Sequence, residues 1–190
     1  ILVRLTGMKK LALMIIKDTL RQKFRTAPKI SQETTPSITQ NIQNIIDHLP
    51  SCQTISVYLP MHNEPDMTSL IAQNPNKKFA LPKVINGEMI FAEYQNSDQT
   101  ARNIKFPLLQ EPLSHNALLP DLLIIPGLAF DLKGYRLGLG KGHYDRYLSK
   151  NHNIKTIGVC FSKNLLQRLP TEDHDCKMDY IVTEHSIIKT

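Results

Sequence analysis

Four consecutive apolar residues, Leu122-Leu123-Ile124-Ile125, stop abruptly at Pro126-Gly127. A run this short and this uniformly apolar suits a strand buried on both faces, whereas a half-exposed strand would alternate. Its surroundings agree. Thr54 to Leu59, ending at Pro60, reads as a strand, and so do Lys78 to Val84, Met89 to Tyr94 beyond an Asn86-Gly87 turn, Ile154 to Phe161 and Tyr180 to Thr183. Helical spacing lies between them. Residues 14–26 carry Ile16, Leu20 and Phe24 four apart and stop at Ala27-Pro28, and a second helix from Ser37 aligns Ile38, Ile42, Ile45, Ile46 and Leu49. Shorter helices are predicted after Pro65-Asp66 to about Gln73, from Tyr144 to Lys150 and from Lys163 to Arg168. The stretch 95–120, with Pro107, Pro112 and Pro120, reads as mostly irregular.

Strands alternating with helices predict an α/β fold: a single-domain, three-layer α/β/α arrangement with a mostly parallel, Rossmann-like sheet. A length of 190 residues suits one domain with a substantial core. Residues 1–13 read as an N-terminal extension, with Met14 as the natural start, and 14–190 as the single domain. The apolar run Leu11 to Ile16 is only about six residues long, too short for a secretory h-region. No run approaches the roughly 18 apolar residues of a membrane span. Cys52, Cys160 and Cys176 are odd in number, widely spaced and without a CxxC pair, which argues against a disulfide framework or a zinc cluster and suits the reducing cytoplasm. The net charge of +6 is compatible with nucleic acid, an anionic membrane, a nucleotide or an anionic metabolite, so charge alone selects no partner.

In an open parallel sheet ligands sit beyond the carboxyl ends of strands, which directs attention to the segment after Ile125. Gly138, Gly140 and Gly142 alternate there, with Arg136 before them, Lys141 among them and Asp145 after. Glycines let a backbone turn tightly and aim N–H groups at phosphate oxygens near the positive end of a helix. Arg136 and Lys141 add charge for a polyphosphate, and Asp145 is placed to hold an accompanying Mg²⁺. The spacing is neither that of a Walker A loop, since Gly142 follows Lys141, nor that of a dinucleotide GxGxxG motif. On these residues alone, a phosphate cradle and a flexible turn with solvated charges both stand.

The stretch Pro126-Gly127-Leu128-Ala129-Phe130-Asp131, with Gly134, Arg136-Leu137-Gly138, Gly140, Gly142 and Tyr144-Asp145-Arg146, resembles the signature of the 5-formyltetrahydrofolate cyclo-ligases, also called methenyltetrahydrofolate synthetases. The resemblance runs from Met14 to near the carboxy terminus. His143 departs from it, standing where the family usually has tyrosine. The resemblance implies an enzyme using ATP and Mg²⁺ to cyclise 5-formyltetrahydrofolate to the 5,10-methenyl form, with ADP and phosphate as products. It implies ATP contacts along Lys17, Asp18, Thr19, Leu20 and Arg21, and along Arg136, Leu137, Gly138, Leu139, Gly140, Lys141, Gly142, His143 and Tyr144, with Arg136 and Lys141 catalytic. Leu59 and Glu64 fall at the family's folate-binding positions, with Lys83 as a further candidate. Asp145 and Asp175 fall at its metal positions, with Asp179 as the alternative to Asp175. Taken singly, Lys17 and Arg21 also fit a solvated basic face, Glu64 an exposed loop acid, and the run from Glu172 to Asp179 a solvated acidic turn.

The expected partner is therefore the small folate substrate, with no nucleic acid and no membrane, for a monomer. Two rivals fit the same loop: an α/β protein like the phosphosugar isomerases or coenzyme A transferases, and a basic RNA-binding module. An aromatic share of 6% without an RNA-module motif weakens the second.

Overall fold

The computed structural model describes residues 2–61, 63–95, 100–102 and 110–190. In chain order the helices are α1 (Leu2–Arg25), α2 (Thr35–Asp47), α3 (Ser69–Gln73) and α4 (His143–Lys150). The strands are β1 (Thr54–Ser56), β2 (Lys78–Ile85), β3 (Glu88–Glu93), β4 (Thr100–Arg102), β5 (Gln110–Pro112), β6 (Ala117–Leu118) and β7 (Leu122–Pro126). They continue with β8 (Ala129–Asp131), β9 (Arg136–Leu137), β10 (Lys155–Val159), β11 (Leu165–Leu166), β12 (Tyr180–Val182) and β13 (Ile187–Lys189).

The apolar run lies in β7, near the middle of an eight-stranded sheet ordered β13-β12-β10-β7-β1-β2-β3-β6, and all four of its side chains are fully buried. Strands β12, β10, β7, β1 and β2 are mutually parallel, while β13 and β3 run against their neighbours. On one face, Ile38, Ile42, Ile45 and Ile46 of α2 and Leu70 of α3 pack on Ile55, Phe79, Leu122, Ile124 and Ile157. On the other, Tyr144 and Leu148 of α4 join Phe130, Leu123, Ile125 and Ile181. Covering both faces in this way gives the expected three layers.

Four local readings change. The helix predicted over 14–26 runs from Leu2 to Arg25, and residue 1 lies outside the described residues. The segment predicted as a helix from Lys163 to Arg168 forms a 3₁₀ turn at Ser162–Asn164 and then β11. It extends there because Leu165 and Leu166 pair with Phe130 and Asp131, and Leu169 N–H donates to Asp131 (2.8 Å). The loop after Pro126 is half hairpin: β8 and β9 pair, and the buried Asp131 carboxylate closes their turn by accepting the N–H groups of Lys133 and Tyr135, each at 2.9 Å. The stretch read as irregular holds β4, β5 and β6, with Pro107 outside the described residues.

Helix α1 docks on this small sheet through Leu20 and Phe24, which contact Ala129, Leu137 and Leu169. Close packing recurs at Gly158 in β10. A Cβ there would lie 2.3 Å from Cε1 of Phe130 and 2.8 Å from Ile181. Gly158→Ala should therefore destabilise the protein by about 1–3 kcal/mol through overpacking, read as a lower urea midpoint. An unchanged midpoint would show that Phe130 has room to move.

The chain passes from β1 to β2 on one side and later returns to β7 on the other. Such a reversal opens a crevice beyond the carboxyl ends of the two central strands.

Candidate active site

A cavity of about 580 Å³ occupies that crevice. The segment after β1 contributes Tyr58, Leu59, Met61 and Glu64, and the end of β7 and the residue beyond it contribute Pro126 and Gly127. Residues 136–145 form a third wall. Lys17, Arg21 and Arg25 of α1 enter from one side, because positions four apart share a helix face. Glu172, His174 and Asp175 enter from the loop before β12.

Arg136 lies at the centre. Its side chain is 8% exposed, one guanidinium nitrogen is 3.3 Å from Asp145, another donates to the Pro126 carbonyl (3.4 Å), and the group sits 4.9 Å from the Tyr144 ring centre. Two glycines make room for it. A Cβ on Gly138 would lie 2.6 Å from the guanidinium, and one on Gly127 would lie 2.8 Å from the Phe130 ring and 3.0 Å from the Arg136 Cγ. Part of the glycine pattern is thus spent on an arginine and not on a ligand. The rest shapes the loop: Gly140 and Gly142 have φ of +91° and +64°, the left-handed region that side chains disfavour. Arg21 Nε donates to the Gly138 carbonyl (3.1 Å) and Arg25 to that of Leu139 (3.0 Å), tying α1 to the loop. Gly142 precedes α4, and His143, Tyr144 and Asp145 of its first turn line the cavity, at the end of the helix where the dipole is positive.

In this wall Arg136 Nε and Tyr144 Oη are buried and have no hydrogen-bond partner among the described residues. A buried orphan donor is costly, and a ligand acceptor in the cavity would relieve it. Glu64, which lines the same cavity, is buried and accepts the Met61 N–H (2.9 Å). Burial raises its pKa to about 7, against the pull of that N–H and of Arg136. His143 takes its hydrogen bond from Arg146 (3.0 Å), and because a guanidinium can only donate, Nδ1 is the acceptor. Burial, then the charges of Arg146 and Lys141, lower the imidazole pKa.

The acidic loop is already engaged. Lys17, 7% exposed, donates to Asp175 (2.6 Å) and Glu172 (3.0 Å). The donor atoms of Glu172, His174 and Asp175 lie within 4.8 Å of one another. Asp179 instead accepts Thr156 N–H and Oγ1–H at 2.8 and 3.0 Å and does not line the cavity.

Residues from position 17 to position 175 therefore meet in one place: Lys17, Arg21, Leu59, Glu64, Arg136 to Tyr144, Asp145 and Asp175. Asp18, Thr19 and Leu20 do not line it. Asp18 pairs with Arg21 (2.6 Å), Thr19 donates to the Ile15 carbonyl, and Leu20 packs on the small sheet. Lys83 donates to the Pro112 and Ser114 carbonyls and holds that backbone. Arg25, which repeats on one stripe with Lys17 and Arg21, and Glu172, the first acid of the run to Asp179, also line the cavity, although neither stands among the individually expected contacts.

The profile of the 5-formyltetrahydrofolate cyclo-ligase family matches residues 10–184. The chain belongs to this family. A mouse 5-formyltetrahydrofolate cyclo-ligase is 30% identical over 76% of this chain and 80% of its own length, and an Escherichia coli one is 31% identical over 70% and 79%. Among solved structures, the 5,10-methenyltetrahydrofolate synthetase of Aquifex aeolicus superposes with a TM-score of 0.77 at 29% identity, covering 92% of each chain. The chain is thus an enzyme of the cyclo-ligase type on the expected α/β fold. Among the described residues no helix is long and apolar enough to cross a membrane.

Proposed function

We propose that this cyclo-ligase binds ATP with Mg²⁺ and 5-formyltetrahydrofolate in the cavity and forms 5,10-methenyltetrahydrofolate, ADP and phosphate. The observation that carries the reading is the pair of orphaned buried donors, Arg136 Nε and Tyr144 Oη, at the start of α4 in a cavity that a buried carboxylate, Glu64, also lines. One wall asks for an anion and the other for a donor-bearing ring. A nucleotide phosphate and a pterin supply both.

The backbone of 138–142, with Lys17, Arg21 and Lys141, holds the triphosphate. Asp145, Asp175 and Glu172 offer the oxygen donors that suit a hard divalent cation, and all three line the cavity. Bound there, Mg²⁺ would neutralise charge on the phosphates. Glu64 accepts hydrogen bonds from the aminopyrimidine edge of the pterin, and Leu59 packs on its face. The formyl oxygen on N5 is a poor leaving group until it takes the γ-phosphoryl group. N10 then attacks the formyl carbon and loses its proton, and the C–O bond breaks as phosphate departs. Arg136 and Lys141 stabilise charge on the transferring group, and catalysis is mainly positioning and electrostatics. No side-chain nucleophile is needed, in keeping with thiols that burial pushes up, Cys52 to about 11. The free cysteines fit action in the cytoplasm.

The purified protein incubated with 5-formyltetrahydrofolate, ATP and Mg²⁺ should develop the methenyl absorbance, with one ADP per product. Product formed equally well without ATP, or none formed with it, would refute the reading.

A further inference from the structure

The Lys17 ammonium lies within 2.6 Å of Asp175 and 3.0 Å of Glu172, at the place where the family's metal is expected. We propose that Lys17 is a positioning residue exchanged between two partners: in the free protein it occupies the acidic pair, and entry of a divalent cation releases it to the nucleotide's phosphates. The inference rests on the nucleotide reading of the cavity given above.

Charge and geometry support the exchange. One ammonium against two carboxylates leaves the pair with one uncompensated negative charge, whereas a divalent cation neutralises it fully. The ligand atoms of Glu172, His174 and Asp175 lie within 4.8 Å of one another, a span that one ion can bridge. Asp175 is further fixed by the Glu172 N–H at 2.8 Å, so the pair keeps its shape when the lysine leaves. An ammonium and a metal ion cannot share these oxygens, because like charges at contact distance in a half-buried site repel strongly. The released side chain has a destination. Lys17 stands one helical turn before Arg21, which already reaches the glycine loop, and its four-carbon stem is flexible. Metal and nucleotide would then bind cooperatively, each favouring the same position of Lys17.

The plainer alternative is a static clamp joining α1 to the loop before β12. Lys17→Met separates the two. With Mn²⁺ as the probe and no nucleotide present, the variant should bind the ion at least tenfold more tightly than the parent, followed by electron paramagnetic resonance. Millimolar Mg²⁺ should raise its thermal midpoint more than the parent's, while its affinity for a non-hydrolysable ATP analogue falls about tenfold. Unchanged or weaker Mn²⁺ binding would overturn the proposal.

Uncovering two carboxylates can unfold the protein, so Glu172→Gln is the second variant. It frees Lys17 from one partner and should bind the ATP analogue severalfold more tightly without metal. Unaltered or weaker binding would again overturn the exchange. If the parent binds the analogue but neither variant shows these shifts, only the exchange falls. If the parent binds no analogue at all, the nucleotide reading falls with it.

Discussion

Replacing Arg136 with alanine is expected to lower kcat by about two to three orders of magnitude, the usual cost of deleting one preorganised donor aimed at developing charge. The side chain is 8% exposed and held by Asp145, the Pro126 carbonyl and the Tyr144 ring, so its orientation is fixed before any ligand arrives. That fixing is what makes the effect fall on turnover: a donor already in place needs no reorganisation when the phosphoryl group moves. Folding should suffer less. The variant strips Asp145 of its guanidinium partner, at a cost of about 1–3 kcal/mol. Lysine should not rescue it, because one ammonium cannot reproduce the guanidinium's planar set of donors or its packing on Tyr144. Steady-state turnover, with calorimetric nucleotide binding and a urea melt on the same sample, separates these contributions. A kcat within threefold of the parent in a folded variant would remove Arg136 from the catalytic group.

The loop that carries Arg136 also shows where sequence reasoning stops. Its glycines were legible as special, and Gly140 and Gly142 adopt positive φ. That Gly127 and Gly138 clear space for an arginine was not legible, because the pattern Gly-x-Gly records a missing side chain without naming what fills the gap. Elements with their own periodicity were read well: the isoleucine stripe of α2 is buried throughout, and Asn86-Gly87 turns β2 into β3 with φ of +51° and +86°. Two-residue strands such as β9 and β11 have no period of their own and exist only through their partners. The same limit applied within the site. Lys17 was picked out as a cation, but its acidic partners lie 155 and 158 residues away, and no local pattern joins them. On α1 the likeness to the family marked a continuous Lys17–Arg21 segment, while helix geometry sends only the four-apart positions into the cavity.

Glu64→Gln should separate stability from binding by giving them opposite signs. The Glu64 pKa stands at about 7 against an ordinary value of 4.5, chiefly because burial penalises the charged form. As pH rises through 4.5 the unfolded chain releases this proton while the native protein keeps it until about 7. The stabilisation linked to the raised pKa is therefore complete below pH 4.5, lost progressively up to 7, and absent above. A shift of that size corresponds to about 3 kcal/mol. Glutamine cannot ionise and retains a carbonyl to accept the Met61 N–H, so it escapes the loss. At pH 8 the variant should be more stable than the parent by up to about 3 kcal/mol, and near pH 4.5 the two should converge. Folate binding should move the other way. An ionised carboxylate offers two acceptors to the pterin edge, and an amide offers one acceptor and a mismatched donor, worth about two orders of magnitude in affinity. The parent's folate affinity should also rise as pH increases through 7, because binding draws on the ionised form, while the variant's stays flat. Urea titrations and folate binding at pH 5, 6, 7 and 8 test both arms. A variant no more stable than its parent at pH 8 would mean that the buried carboxylate is better solvated than its surroundings imply, and a variant with parental folate affinity would move the pterin elsewhere in the cavity.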